Sequence, residues 1–504
     1  MLKDIEPREY QKNIADSALK KGNTLVILPT GLGKTLIALI MIDKLKTEGN
    51  ILFMAPTRPL AEQHFKSIKK HLDIDENEIV LINGSIKPKE RIELWKKTIC
   101  ISTPQTAKND IENKRLDLSK YSLCIIDEAH RSVGNYAYTF VAENTIKNNV
   151  KIIGMTASPG GDKKRIEEIM NALYIKNIEA RTHDDKDVEK YVQKTNMKWI
   201  FIELNIEMKE AVKYLKEMYK EYLEILQKFG IFIRIPSKVE LIKAQKRILK
   251  IETNSKYAAM SYYSSIFNLS HLIELLETQG ITTFENYLNK MKYEKTSKGV
   301  ERVLRDYRLK IAENLLKNKE HPKVQELINI LERNKGKTAI VFAQYRDQII
   351  YLTKILNQNN ITAKEFMGQK KGFTQKDQKR IIEEFKNKEF DVLCCTSVGE
   401  EGLDLPSVDL VIFYEPTPSA IRSIQRRGRT GRHKEGEVII LITKNTQDEA
   451  FYWASKKKEN KMKKIIKEMS KNNEIISKNE TLNETKPIIE NKKPKKKQAS
   501  ILDF

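Results

Sequence analysis

"NTLVILPTGLGKTLIALIMIDKL" (residues 23–45) is the stretch on which the fold turns. Its first part, through Leu28, is an unbroken apolar run of the kind found in strands buried on both faces. From Thr35 on it is an apolar helix. Between them, Gly31 and Gly33 allow the backbone amides to turn inward, and the helix start adds its own unpaired N–H groups. Strand, glycine loop and helix in that order predict a parallel α/β unit with an anion cradle at the strand's carboxyl end.

Pro29, Thr30, Gly31, Leu32, Gly33, Lys34 and Thr35 form that cradle. Lys34 is placed to reach the β- and γ-phosphates of a nucleotide, and the Thr35 hydroxyl to ligate Mg²⁺. The strict phosphate-loop pattern has Gly where this chain has Leu28.

Working outward, further apolar runs of the same type recur: "NILFMAPT", "EIVLIN", "TICIST", "LCIIDE" and "VKIIGMTAS". Amphipathic helical patterns separate them, which predicts a parallel sheet covered on both faces. The style restarts near residue 338 with "TAIVFAQY", "DVLCCTS", "VDLVIFYE" and "EVIILITK". Between the two units, Val212, Leu215, Tyr219, Tyr222, Leu226 and Phe229 step by three or four, the helix period. "SYYSSIFNLSHLIELLETQG" and "VERVLRDYRLKIAENLL" repeat it, with Gly230 and Gly280 as helix stops. The expected organisation is 1–205, 206–320 (all-helical insertion), 321–455 and a Lys-rich tail, 456–504, disordered past a last helix.

Across 504 residues there are 91 Lys+Arg against 68 Asp+Glu, a formal charge of +23. Such a surplus favours a polyanionic partner, although a Lys-rich solvated surface would also produce it. The tail has 15 Lys, no Arg and 7 acidic residues. Cys100, Cys124, Cys394 and Cys395 each sit in a strand-like run with no C-x-x-C pair, so buried reduced thiols are expected. The start "MLKDIEPREYQ" is not laid out as a signal peptide, and no apolar stretch approaches a membrane span. An intracellular protein is expected, with no membrane partner.

"CIIDEAHR" (124–131) complements the cradle. Asp127 and Glu128 end an apolar strand, where burying carboxylates without a cation is costly. Mg²⁺ gives Asp127 a reason to be there, and Glu128 can orient or deprotonate an attacking water. His130 reads equally as a coupling residue or as one satisfying local backbone groups. Gln11 in "PREYQ" offers the donor and acceptor that an adenine edge requires. Finally, "QRRGRTGR" (425–432) packs four arginines and two glycines into eight positions of the second unit. The first unit brings no obvious Arg of its own to charge developing at the γ-phosphoryl. Arginines supplied across a cleft would do so and would tie hydrolysis to closure.

The set "PREYQ", "PTGLGKT", "APTRPLAEQ", "STPQT", "DEAH", "TAS", "VFAQYR", "TSVGEEGLDLP" and "QRRGRTGR" resembles a superfamily 2 DEAH-type helicase. It covers nearly all of residues 1 to 450 in the family's order. "LPTGLGKT" together with a helical insertion resembles the Hef/FANCM branch, which remodels forked and branched DNA. RIG-I-like and Dicer helicases share such an insertion and act on duplex RNA, which keeps an RNA helicase as the alternative. The resemblance implies two RecA-like α/β domains, and ATP and Mg²⁺ as cofactors. By the same resemblance Gln11 reads adenine, Asp404 sits near the nucleotide, and Arg429 and Arg432 are arginine fingers within a motif opened by Gln425. Thr57, Arg58, Thr103, Pro104 and Thr396 would touch the phosphates of one strand. Thr156 and Ser158 would couple hydrolysis to strand movement. Full-length archaeal Hef proteins also carry an E-R-K-x-x-x-D nuclease signature, and this sequence contains none. The expectation is a chain that moves DNA in repair of replication forks, its helical insertion (206–320) gripping the duplex near the branch point, nucleoid-associated, with any nuclease supplied separately. The ending "QASILDF" places Gln498, Ile501 and Phe504 at the spacing of a sliding-clamp-binding peptide, or is a linker stub.

Overall fold

The computed structural model describes residues 2–134, 136–183, 185–191, 195–233, 238–294, 297–368, 374–396, 406, 408–416 and 436–479. Seven strands form the first sheet: β1 (Thr24–Ile27), β2 (Asn50–Met54), β3 (Ile79–Ile82), β4 (Ile99–Ser102), β5 (Tyr121–Ile126), β6 (Lys151–Thr156) and β7 (Asn177–Ala180). Their spatial order is β3-β4-β2-β5-β6-β1-β7, and every pairing is parallel. Successive β1 side chains enter opposite layers: Val26 packs with Ile14 and Ile37, whereas Leu25 and Ile27 pack with Ile152 and Ile166. That two-sided burial is why the run is continuously apolar.

The second sheet holds β8 (Thr195–Ile202), β9 (Ala339–Phe342), β10 (Ala363–Phe366), β11 (Val392–Cys395), β12 (Leu410–Phe413) and β13 (Gly436–Thr443). Their order is β10-β11-β9-β12-β13-β8, again all parallel. The expected first segment, 1–205, therefore overruns. Residues 195–202 pair along their full length with Gly436–Thr443 of the second sheet. Four cysteines lie within β4, β5 and β11, buried and free as expected. Burial pushes the Cys100, Cys124 and Cys394 thiols up to about 12, so they stay protonated.

Between the sheets lies a helical bundle with its own core, built on the helices Ile206–Lys228 and Ser255–Thr278. The first ends before Gly230, whose φ of +76° suits glycine. "VERVLRDYRLKIAENLL" reads as one helical run but forms two helices, Lys298–Arg305 and Tyr307–Leu316. Asp306 separates them. Its carboxylate accepts from the Arg308 amide at 3.0 Å and the Tyr222 hydroxyl at 2.9 Å, replacing the helix's own bonding.

A fully buried ion pair of the second unit sits where that unit meets the bundle. Lys323 Nζ bonds the Asp448 carboxylate and also donates to the Thr278 carbonyl at 2.9 Å. The Thr443 amide donates to the same carboxylate at 3.1 Å. Burial raises the Asp448 carboxyl above the usual carboxylate range, against the pull of Lys323. Asp448 lies in the first turn of the helix Gln447–Asn479, which runs back to the first unit and buries Met462 in its core. The Lys-rich segment expected from 456 thus begins as folded helix, and residues 480–504 lie outside the described residues. Among the described residues no helix is long and apolar enough to cross a membrane.

Candidate nucleotide site and strand-binding edge

All seven strands of the first sheet point their carboxyl ends to one edge, the edge where open parallel sheets bind ligands. The helix Lys34–Leu45 starts there, with Gly33 in the left-handed region at φ +81° as its N-cap. Gln11 is 2% exposed and packs beneath this loop. Its Nε2 donates to the Leu32 carbonyl at 3.0 Å, and the Tyr10 hydroxyl donates to the same oxygen at 2.7 Å. A Cβ on Gly33 would lie 2.3 Å from Gln11 Nε2 and push that amide off the Leu32 carbonyl, and the positive φ itself favours glycine. Gln11 Oε1 meanwhile accepts from the Arg8 amide at 2.9 Å. Both ends of the amide are engaged with the protein, so its contact here is with the phosphate loop. Leu28, where the strict pattern has glycine, is buried in the sheet core, and its carbonyl accepts from Lys34 Nζ at 3.3 Å.

Asp127 follows β5, with its amide bonded to Met54 of β2 at 2.9 Å. Its carboxylate Oδ2 accepts from His64 Nε2 at 2.8 Å, and both side chains are buried. Burial alone would raise this carboxyl. The His64 bond and charge, then the charge of Lys34, outweigh it and hold the group below the usual carboxylate range. His64 has no part in the sequence reading. The available signal was its place on the inward face of the helix Arg58–His71, in register with Ala61 and Ile68. Glu128 adopts φ +50°, and one carboxylate oxygen, Oε2, is buried with no hydrogen bond among the described residues. That oxygen lies 3.3 Å from His130 Nδ1, which instead bonds Thr156 Oγ1 at 3.0 Å. The Ser158 amide donates to the same Thr156 oxygen at 3.1 Å. Glu128, His130, Thr156 and Ser158 therefore form one contiguous path, with Thr156 paired to Ile27 at the foot of the phosphate loop.

A divalent ion fits this donor set. Among the described residues no group of three or more His, Cys, Asp or Glu forms a cage. One depressed carboxylate and one hydroxyl, Asp127 and Thr35, match an ion such as Mg²⁺ that keeps phosphates and waters as its other ligands. Orienting partners of metal ligands typically contribute 10- to 100-fold in affinity or activity. His64→Ala is accordingly expected to raise the Mg²⁺ concentration needed for nucleotide binding by about that factor, read by titrating a fluorescent nucleotide with Mg²⁺.

Thr57 and Arg58 follow β2, and Thr103 and Pro104 follow β4, next along the same edge. The Thr57 hydroxyl is buried and makes no hydrogen bond among the described residues. Thr396 follows β11 at the corresponding edge of the second sheet. Arg58 donates to Glu62 at 3.0 Å, and Glu62 also accepts from Lys379 of the second unit at 3.1 Å. Burial would raise the Glu62 carboxyl, but Lys379 and Arg58 hold it low. Asp404, Gln425, Arg429, Arg432, Gln498, Ile501 and Phe504 lie outside the described residues.

Three family models tile the chain. Residues 4–161 match "Type III restriction enzyme, res subunit", 207–322 match "Putative ATP-dependent RNA helicase, helical bundle", and 322–434 match "Helicase conserved C-terminal domain". A Methanocaldococcus jannaschii protein named "Putative ATP-dependent RNA helicase" is 44% identical over 93% of this chain and 61% of its own length. The ATP-dependent DNA helicase mph1 of Neurospora crassa is 32% identical over 88% of this chain and 41% of that protein. For fml1 of Schizosaccharomyces pombe, also named an ATP-dependent DNA helicase, the figures are 30%, 88% and 58%. The chain thus spans less than two thirds of these curated relatives. It covers 98% of the Pyrococcus furiosus Hef helicase domain in the solved structure, at 41% identity, with a TM-score of 0.71 over 89% of this chain. With that domain matched nearly end to end and the glycine loop, the DEAH strand and the Glu128–His130–Thr156 contacts built around one sheet edge, the chain belongs to the Hef/FANCM-like branch of the superfamily 2 DEAH-type helicases, enzymes whose ATP hydrolysis depends on nucleic acid.

Proposed function

We propose that the protein is an ATP-driven translocase that remodels forked or branched DNA. The observation carrying this reading is the order of groups along one sheet edge. The phosphate loop follows β1 and Asp127 and Glu128 follow β5, and the residues read as strand grips follow β2 and β4 beside them. The Glu128–His130–Thr156 path runs between nucleotide and sheet, so a change at the γ-phosphate reaches Thr156 and Ser158 through direct contacts. Mg²⁺, when bound with its nucleotide, neutralises phosphate charge. Lys34 binds the terminal phosphates, and Glu128 orients or deprotonates the attacking water. Hydroxyls such as those of Thr57 and Thr103 grip phosphates without reading bases, which suits sequence-independent tracking. DNA is favoured because mph1 and fml1 are named DNA helicases.

Duplex RNA is the second reading, supported by the name of the Methanocaldococcus jannaschii relative. ATP turnover measured with forked DNA, linear duplex RNA and neither separates the two. Stimulation by the fork alone, or by the fork at least tenfold more strongly, is expected; equal or greater stimulation by RNA would sink the DNA reading.

A further inference from the structure

Arg58 and Lys379 belong to different α/β units, yet both direct their charge to one carboxylate. Glu62 Oε1 accepts from Arg58 Nε at 3.0 Å, and Glu62 Oε2 accepts from Lys379 Nζ at 3.1 Å. Each oxygen is thereby committed to one unit. The two cations stay open to solvent, their side chains 49% and 63% exposed, whereas the carboxylate between them is 19% exposed.

Helix preference alone does not produce this choice. Lys66 stands four residues beyond Glu62 in the helix Arg58–His71, and glutamate ahead of lysine is the favoured order of such a pair. Glu62 pairs in the reverse direction instead, with Arg58 one turn before it, and reaches across to the second unit. Exposed ion pairs are weak, each contributing a factor of about 1.4 to 5. A bridge of that strength yields to a stronger anion.

Its surroundings suit a phosphate. Arg58 is the first residue of its helix, where the dipole favours negative charge, and no acid stands in the first turn. Thr57 before it gives that helix no side-chain cap, and its hydroxyl makes no hydrogen bond among the described residues. On the other side, the helix Gln375–Lys386 that carries Lys379 follows β10, and β10 lies beside β11, beyond which is Thr396. A strand held at Thr57 and Arg58 in one unit and at Thr396 in the other would cross the gap that Glu62 spans. A phosphodiester brings two charged oxygens, as the carboxylate does, and guanidinium accepts either in the same geometry.

Resting on the translocase reading above, we propose that Glu62 stands in for a strand phosphate: it holds Arg58 and Lys379 in the free protein and yields both to the backbone of the bound strand. The bridge between the units passes from carboxylate to phosphate, so the units stay joined across the strand. Lys379 is then a strand contact, and Glu62 an internal competitor that lowers affinity.

The test follows a labelled single DNA strand by fluorescence anisotropy across a KCl series, with the wild-type chain, Glu62→Gln, Lys379→Gln and the double variant. Glutamine keeps the shape of Glu62 and removes its charge. With two pairs of about 1.4- to 5-fold each lost, Glu62→Gln is expected to bind the strand about 2- to 30-fold more tightly. Lys379→Gln should bind more weakly, its slope of log K against log salt shallower by about 0.7, the share of one phosphate contact on a single strand. In the Lys379→Gln background the gain from Glu62→Gln should shrink to that of the Arg58 pair alone, about 1.4- to 5-fold. Unchanged or weaker binding by Glu62→Gln would overturn the exchange. So would an unchanged salt slope for Lys379→Gln, or a gain of equal size in both backgrounds, which would make Glu62 a general repulsive charge. Wild-type protein that binds no strand at all would instead bring down the translocase reading, and the exchange with it.

Discussion

Arg429→Ala and Arg432→Ala are each expected to lower DNA-stimulated ATP turnover by about 10³- to 10⁵-fold while nucleotide still binds. The argument is one of charge. Between residues 28 and 35 the phosphate loop contributes a single cation, Lys34, whose field already acts on Asp127. Asp127 and Glu128 bring two carboxylates to the same edge. Negative charge spreading over the γ-phosphoryl oxygens during transfer therefore needs cations from elsewhere. "QRRGRTGR" lies in the chain between β12 and β13 of the second sheet, which already touches the first unit through the Glu62–Lys379 pair. Guanidinium groups suit this task because their fork of donors matches phosphoryl oxygens, so Arg→Lys at either position should restore little. Single-turnover hydrolysis alongside binding of a fluorescent nucleotide separates the chemical step from affinity. Turnover within tenfold of wild type in both variants would show that the cleft does not close on these arginines.

The legibility of the fold followed solvent exposure. Strands buried on both faces, such as β1, β5 and β9, announced themselves as apolar runs. The strands that escaped notice, β7, β8 and β10, all lie at sheet edges. There charged residues such as Glu179, Lys198, Lys364 and Glu365 interrupt the run because the edge must resist further pairing. β8 posed a second difficulty. It is followed in the chain by the bundle, and the strand it pairs with, β13, begins only at Gly436, so no local pattern could assign it to the second sheet. The nucleotide site was readable for the opposite reason: Lys34, Thr35, Asp127 and Glu128 sit in short contiguous motifs whose chemistry needs those neighbours. His64 had no such context. A single histidine on an amphipathic helix more often packs than positions, and only the fold reveals Asp127 2.8 Å away. The Glu62–Lys379 pair, 317 residues apart, was equally invisible.

Glu128→Gln should reduce turnover by about 10²- to 10⁴-fold, the usual contribution of a positioned general base, without weakening nucleotide or DNA binding. The geometry supports both halves of that expectation. At φ +50° Glu128 sits in the left-handed region, a conformation that costs a non-glycine residue about 1–2 kcal/mol. It also keeps a buried carboxylate oxygen with no hydrogen bond among the described residues, which is a further cost. A residue retained for stability would be relieved of both. Glutamine preserves the shape and the contact with His130 but removes the charge, so thermal stability should be equal or higher while hydrolysis collapses. That combination is the signature of strain held for function. It also bears on coupling, because His130 would then report an amide where it had reported a carboxylate, and ATP binding should hold the protein on DNA without release. Turnover within threefold of wild type would assign the attacking water to another base, and lowered stability would make the Glu128 carboxylate a structural partner of His130.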